Sequence, residues 1–162
     1  MDRSQERLDD SDLVRLTEVA ADDRADLFRR KPELGRLYRD RVLCVALCQG
    51  AALHYLDGKN GVKDFDVWTF YRVHPARPYP PRRVVAKDFG NSKFGTSPDR
   101  PDFIGRRVDC LGRSIACAPG QGGLDAVHAW LSSRRTTSAR KLAEKVVVVL
   151  KPASASGMVL WP

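Results

Sequence analysis

Apolar residues at Leu13, Leu16, Val19, Ala20, Leu27 and Phe28 recur at helical spacing, so the chain is predicted to open with an amphipathic helix. Ser11 can cap its start, Arg29, Arg30 and Lys31 suit its end, and Pro32 breaks it. A short helix from Glu33 to about Asp40 follows, with Leu34, Leu37 and Tyr38 on one face. Val42-Leu-Cys-Val-Ala-Leu-Cys48 is a continuous apolar run and reads as a strand buried on both faces. Beyond Gln49-Gly50, residues 51–56 read as a helix and Asp57-Gly-Lys-Asn-Gly61 as a turn. Val62 to Arg72 is rich in β-branched and aromatic residues, which predicts a second strand.

Residues 73–103 hold six prolines, at 75, 78, 80, 81, 98 and 101, a density that forbids a long regular element. They are expected to form a long, partly ordered loop, with a short strand at 82–86. Phe103–Cys110 and Arg113–Cys117 flank Leu111-Gly112 and predict a β-hairpin. After the glycine-rich 119–123 stretch come a helix over about 124–132 and a last helix from Ser138 to Leu150, stopped by Lys151-Pro152. The Val146-Val-Val-Val149 run inside that helix equally suits a strand. The expected fold class is α/β (α+β), a mixed sheet with flanking helices. It is divided into a helical flank at 1–40, a core at 41–152 and a C-terminal tail at 153–162.

Length changes the picture only by limiting it: 162 residues make one compact domain. With 43% hydrophobic and 30% charged residues, the composition is that of a folded globular chain. No apolar run approaches the ~20 residues of a membrane span, and the charged N-terminus is no signal peptide, so a cytoplasmic protein without a membrane partner is expected. Cys44, Cys48, Cys110 and Cys117 form no C-x-x-C pair; they suit small buried hydrophobes better than zinc or a disulfide framework. Charge is more informative. The net +8 divides into −2 over residues 1–40 and +10 over residues 41–162. Such an excess can steer polyanions, and it can equally serve solubility.

Candidate chemistry begins at Lys63-Asp64-Phe65-Asp66-Val67. Alternation along a strand puts Asp64 and Asp66 on one side, and Phe65 and Val67 on the other. Two carboxylates held together repel unless a cation lies between them, and hard oxygen donors suit Mg²⁺. Upstream, Gly50 lets the backbone approach a ligand, and the helix starting near Ala51 aims unpaired N–H groups at any phosphate lodged there.

Leu47-Cys-Gln-Gly-Ala51, twelve intervening residues, and then Asp64-Phe-Asp-Val67 resemble the motif of the polymerase-beta-like nucleotidyltransferase superfamily. That motif is a hydrophobic strand, Gly followed by Gly or Ser, and then Asp-x-Asp between apolar residues. The resemblance spans residues 42–110 and, more loosely, 124–152, where Ser138–Lys145 is similar to a basic helix of the small stand-alone members, toxin-type relatives included. One departure is Ala51 in place of the second Gly or Ser, which removes a hydroxyl contact and leaves the backbone N–H groups. The family's third carboxylate matches Asp109 in Arg106-Arg-Val-Asp-Cys110, with Asp102 as a competing candidate.

The resemblance implies nucleotidyl transfer from a nucleoside triphosphate, ATP among them, to an RNA or protein hydroxyl. Asp64, Asp66 and Asp109 would be catalytic and would hold Mg²⁺, or Mn²⁺ in its place. Gly50, Ala51, Lys141 and Lys145 would bind the nucleotide, the two lysines lying four apart on the last helix. The same lysines also suit a solvated helix face beside an Arg140–Glu144 pair. Two other readings stay open: a non-catalytic basic module that binds nucleic acid or a partner, and a metal-dependent nuclease. The nuclease reading lacks the carboxylate-x-Lys element expected beside the metal site. Arg82, Arg83, Arg106, Arg107, Arg113, Arg134 and Arg135 are candidates to hold a nucleic-acid acceptor. His54, His74 and His128, and Ser114, Ser132 and Ser133, carry no catalytic signature, and Trp68, Phe70 and Tyr71 are expected in the core.

Overall fold

In the computed structural model, residues 2–80 and 84–162 are described. Pro81, Arg82 and Arg83 lie outside them, so the role expected of that arginine pair and the first residues of the 82–86 strand are not addressed. The first helix, α1 (Asp10–Arg30), starts at Asp9 and not at Ser11. Asp9 accepts from the Asp12 backbone N–H, and Asp12 accepts in return from that of Asp9, a reciprocal box that satisfies two orphan donors. Pro32 then opens α2 (Pro32–Tyr38).

Strand β1 (Val42–Cys48) runs into α3 (Gln49–Asp57), and β2 (Phe65–Arg72) lies antiparallel beside β1, with Cys48 opposite Asp66. It begins later than the 62–72 expected, because Val62 makes an isolated bridge with Ser4 instead. The expected partly ordered loop contains β3 (Val84–Asp88), and the segment after that strand is tied down. Asp88 accepts from the backbone N–H groups of Gly90, Ile104 and Gly105, and Phe89 and Phe94 enter the core.

No hairpin forms at 103–117: β4 (Arg107–Ile115) is one continuous strand, parallel to β2. Gly112 there is a packing residue and makes no turn, since a Cβ on it would lie 3.0 Å from the Tyr79 ring. Helix α4 (Gly123–Ser133) follows as expected, but the last helix stops early. It is α5 (Thr137–Leu142), a turn at 143–145 ends it, and the valine run forms β5 (Val147–Lys151), whose β-branched side chains pack well in a sheet. Residues 153–162, read as a tail, hold a 3₁₀ turn and the edge strand β6 (Val159–Trp161).

The six strands form one mixed sheet in the order β3-β4-β2-β1-β5-β6. One face carries Val45, Leu47, Phe65, Val67, Val108 and Val148 against α1 and α3. The first forty residues are therefore no solvated flank, because Leu13, Leu16, Val19 and Ala20 of α1 are part of this core. The opposite face carries Cys44, Ala46, Phe70 and Val147 against Ala126, Val127 and Leu131 of α4 and Leu142 of α5. At the far end of β2, Tyr38, Tyr71 and Tyr79 cluster, and Tyr38 donates to the Arg77 carbonyl, which holds the chain leaving β2. Cys44, Cys48 and Cys110 are buried. Among the described residues, no helix is long and apolar enough to cross a membrane.

Candidate metal and nucleotide site

The β2–β4 register places Asp66 directly beside Asp109, and Asp64 stands just before β2 on the same side. One carboxylate oxygen from each of the three acids lies within 4.8 Å of the others. Strand alternation explains the convergence: Phe65 and Val67 must enter the core behind the sheet, which leaves the intervening aspartate on its open side. Asp102, the competing third acid, lies elsewhere, paired with Arg100 through two hydrogen bonds.

Crowding has an electrostatic cost. Burial, together with the charges of Asp64 and Asp109, pushes the Asp66 carboxyl up to about 7. Asp64 is raised too, first by burial and then by Asp109, while Arg107 opposes the shift. The Arg107 guanidinium donates from Nη2 to Asp64 at 3.2 Å and to Asp109 at 3.0 Å, and from Nη1 to Asp99. Asp66 has no hydrogen-bond partner of its own among the described residues. Sequence reasoning gave Arg107 to a nucleic-acid surface; the structure makes it the counter-ion of the acids. The one available signal was its position two residues before Asp109, on the same face of β4.

Around Asp64 and Asp66 opens a cavity of about 420 Å³ lined also by Gln49, Gly50, Ala51, Lys141 and Lys145. Every residue expected at the nucleotide is thus brought to the side of the acids. Lys145 arrives there from the turn after α5 and not from a helix, so the expected i, i+4 pair does not exist. The expected Arg140–Glu144 pair is also absent among the described residues: Arg140 bonds the Arg134 carbonyl and Thr137. The unusual backbone is at Gln49, with φ of 62°, and not at Gly50. A Cβ on Gly50 would meet only Arg3 at 3.9 Å, so this glycine leaves room in the cavity and is not required by packing. Arg3, Lys63 and Trp68 line the same cavity without having been singled out for it.

Other expectations resolve as structure. His54 is fully buried, accepting from the Gly61 N–H at Nδ1 and facing the Glu6 carbonyl at Nε2. Arg106 is buried and donates to the carbonyls of Asp2, Lys63 and Phe94, so it clamps three segments and offers nothing to an acceptor. Phe70 and Tyr71 are in the core, whereas Trp68 is only half-buried.

No family model, curated protein or solved structure matches this chain. Its chemistry is read from its own residues.

Proposed function

We propose that this protein is a metal-dependent nucleotidyltransferase, moving a nucleotidyl group from a nucleoside triphosphate to a hydroxyl of an RNA or a protein. The observation that carries the reading is a cluster of three carboxylates, two of which, Asp64 and Asp66, line one cavity together with a helix start and two lysines. The donor set suits a hard divalent cation, since it is all carboxylate oxygen, and Asp66 is unpartnered and raised to about 7 without one. Asp64, Asp66 and Asp109 would hold Mg²⁺ or Mn²⁺. When bound, the cation supplies positive charge to offset the acids and the polyphosphate.

The chain's own residues do the rest. The first turn of α3 offers the backbone N–H groups of Gly50 and Ala51 to the departing phosphates. Lys141 and Lys145 add charge there, and Lys141 is close enough to lower the Asp66 carboxyl. The acceptor oxygen forms a bond to the α-phosphorus, and the bond from that phosphorus to the oxygen leading to the β-phosphate breaks. Pyrophosphate leaves with the electron pair, and Asp109 helps draw off the hydroxyl proton. Positioning and charge are most of what such a displacement asks of a protein.

Arg107 favours one rival, in which the acids form a structural ion cluster on a basic binding module. The test is incubation with labelled nucleoside triphosphates, Mg²⁺ and total RNA or protein, beside melting curves with nucleotide and Mg²⁺. Label transfer by the wild type, lost in Asp64→Asn with the fold intact, is the expected result. Salt-dependent RNA binding with neither transfer nor Mg²⁺-dependent stabilisation would establish the module.

A further inference from the structure

A second cavity adjoins the one at the acids. Trp68 and Leu111, register partners on β2 and β4, line both, and the second is the larger at about 840 Å³. Trp68 lies two residues beyond Asp66 on the same strand, hence on the same face and about 6.6 Å further along. Val84, Ile115 and Pro78 make the larger cavity mostly apolar, and its volume falls within the ~300–1,000 Å³ usual for small-molecule sites.

One group in this cavity is out of place. Arg113 lines it two residues beyond Leu111, and its Nε is buried with no hydrogen-bond partner. No carboxylate pairs with it among the described residues; its recorded neighbour is the Trp130 ring, 5.0 Å from the guanidinium carbon. A guanidinium partly withdrawn from water without a counter-ion gains from any acceptor that reaches its remaining N–H groups. An arginine only donates, so what meets it must accept.

The adjoining cavities, which share Trp68 and Leu111, therefore have two unlike ends. At one are the start of α3, Lys63, Lys141 and Lys145; at the other are an indole, an apolar wall and a guanidinium with no carboxylate partner among the described residues; the acids stand between. A nucleoside triphosphate has the same order of chemistry, with polyanion, reacting phosphorus, sugar and flat base in sequence. We infer that the larger cavity holds the base of the nucleotide, against Trp68, with Arg113 donating to a carbonyl-bearing edge. Guanine, with adjacent O6 and N7 acceptors, satisfies a guanidinium fork best; adenine, with an amine beside N7, satisfies it worst. The inference rests on the nucleotidyl-transfer reading and gives it a substrate preference.

Binding of GTP, UTP, CTP and ATP, each with Mg²⁺, can be measured by calorimetry on the full chain, its Arg113→Met variant and its Trp68→Leu variant. GTP is expected to bind the wild type about tenfold more tightly than ATP, the worth of one good bidentate contact. Arg113→Met should bring GTP to the level of ATP and leave ATP within about twofold. Trp68→Leu should weaken all four by about tenfold, since stacking is indifferent to base identity. Melting curves confirm that each variant is folded, and Trp68→Phe should restore most of the loss. Equal binding of the four nucleotides, or an equal loss of all four in Arg113→Met, overturns the base site and leaves nucleotidyl transfer standing. Absence of binding by any of them overturns both.

Discussion

Strand β2 has two sides, and they have been put to opposite uses. Phe65 and Val67 face a sealed core in which Phe65 stacks on Phe89 at 5.1 Å and meets Phe94 edge-on at 5.3 Å. Asp66 and Trp68, one residue out of phase, face cavities that α4 and α5 leave open. The closed side gains free energy from every apolar group it removes from water. The open side tolerates three acids whose mutual repulsion opposes folding. Adjacent positions on one strand thus stabilise the fold and hold the chemistry, and the pleat keeps the two from interfering.

The partition is broken most severely by exchanging the roles of neighbours. Asp66→Asn should reduce transfer by at least ~10³-fold, because it removes a charge that acts only with cation and phosphate in place. Phe65→Ala, next door, should cost about 3–5 kcal/mol of stability in denaturant titration, as expected when a fully buried ring is removed.

The pH dependence sharpens the contrast. Folded Asp66 keeps a proton up to about 7, whereas in the unfolded chain it loses it near the ordinary carboxyl value of about 3.9. Between those values the folded state binds more protons, so the metal-free protein should lose stability as pH rises from 4 to 7. The loss at this largely buried group is on the order of a few kcal/mol, fully present only below pH 4 as a gain. In Asp66→Asn the slope should flatten, while no residue facing the sealed core should alter it. A smaller effect is expected of Arg107→Gln. With the counter-ion gone, the metal-free protein should melt lower, and stabilisation by Mg²⁺ should grow by several-fold in apparent affinity.

What the sequence disclosed follows the same division. β1 is legible to the residue because a run buried on both faces needs no partner to be recognised. Asp64 and Asp66 are legible because alternation is a local rule, whereas Asp109 is reached only through the resemblance, which implies a third carboxylate on a later strand. The misreadings occur where a distant residue decides. Leu111-Gly112 has the look of a turn until Tyr79 is seen packing over the glycine. The valine run of β5 reads as helix or strand alike, because the break at 143–145 has no proline or glycine to announce it. The solvated look of residues 1–40 comes from their many charges, which do not disclose the apolar inner side of α1, nor that Asp12 and Asp23 are themselves buried. Arg107 and Arg113 read alike as basic residues, and only tertiary structure separates a paired guanidinium from an unpaired one.

Because β2 and β4 run parallel, the chain must cross between them, and residues 73–106 make that crossing. Closing so long a segment costs entropy before that strand pairing repays it, so Asp66 and Asp109 are expected to become neighbours late in folding. Their repulsion is then a property of the finished molecule and of its first steps apart, and hardly touches the chain on its way in. A cation recognising only the completed centre acts on one rate alone. Mg²⁺ should lengthen the lifetime of the folded state and leave the speed of its formation unchanged.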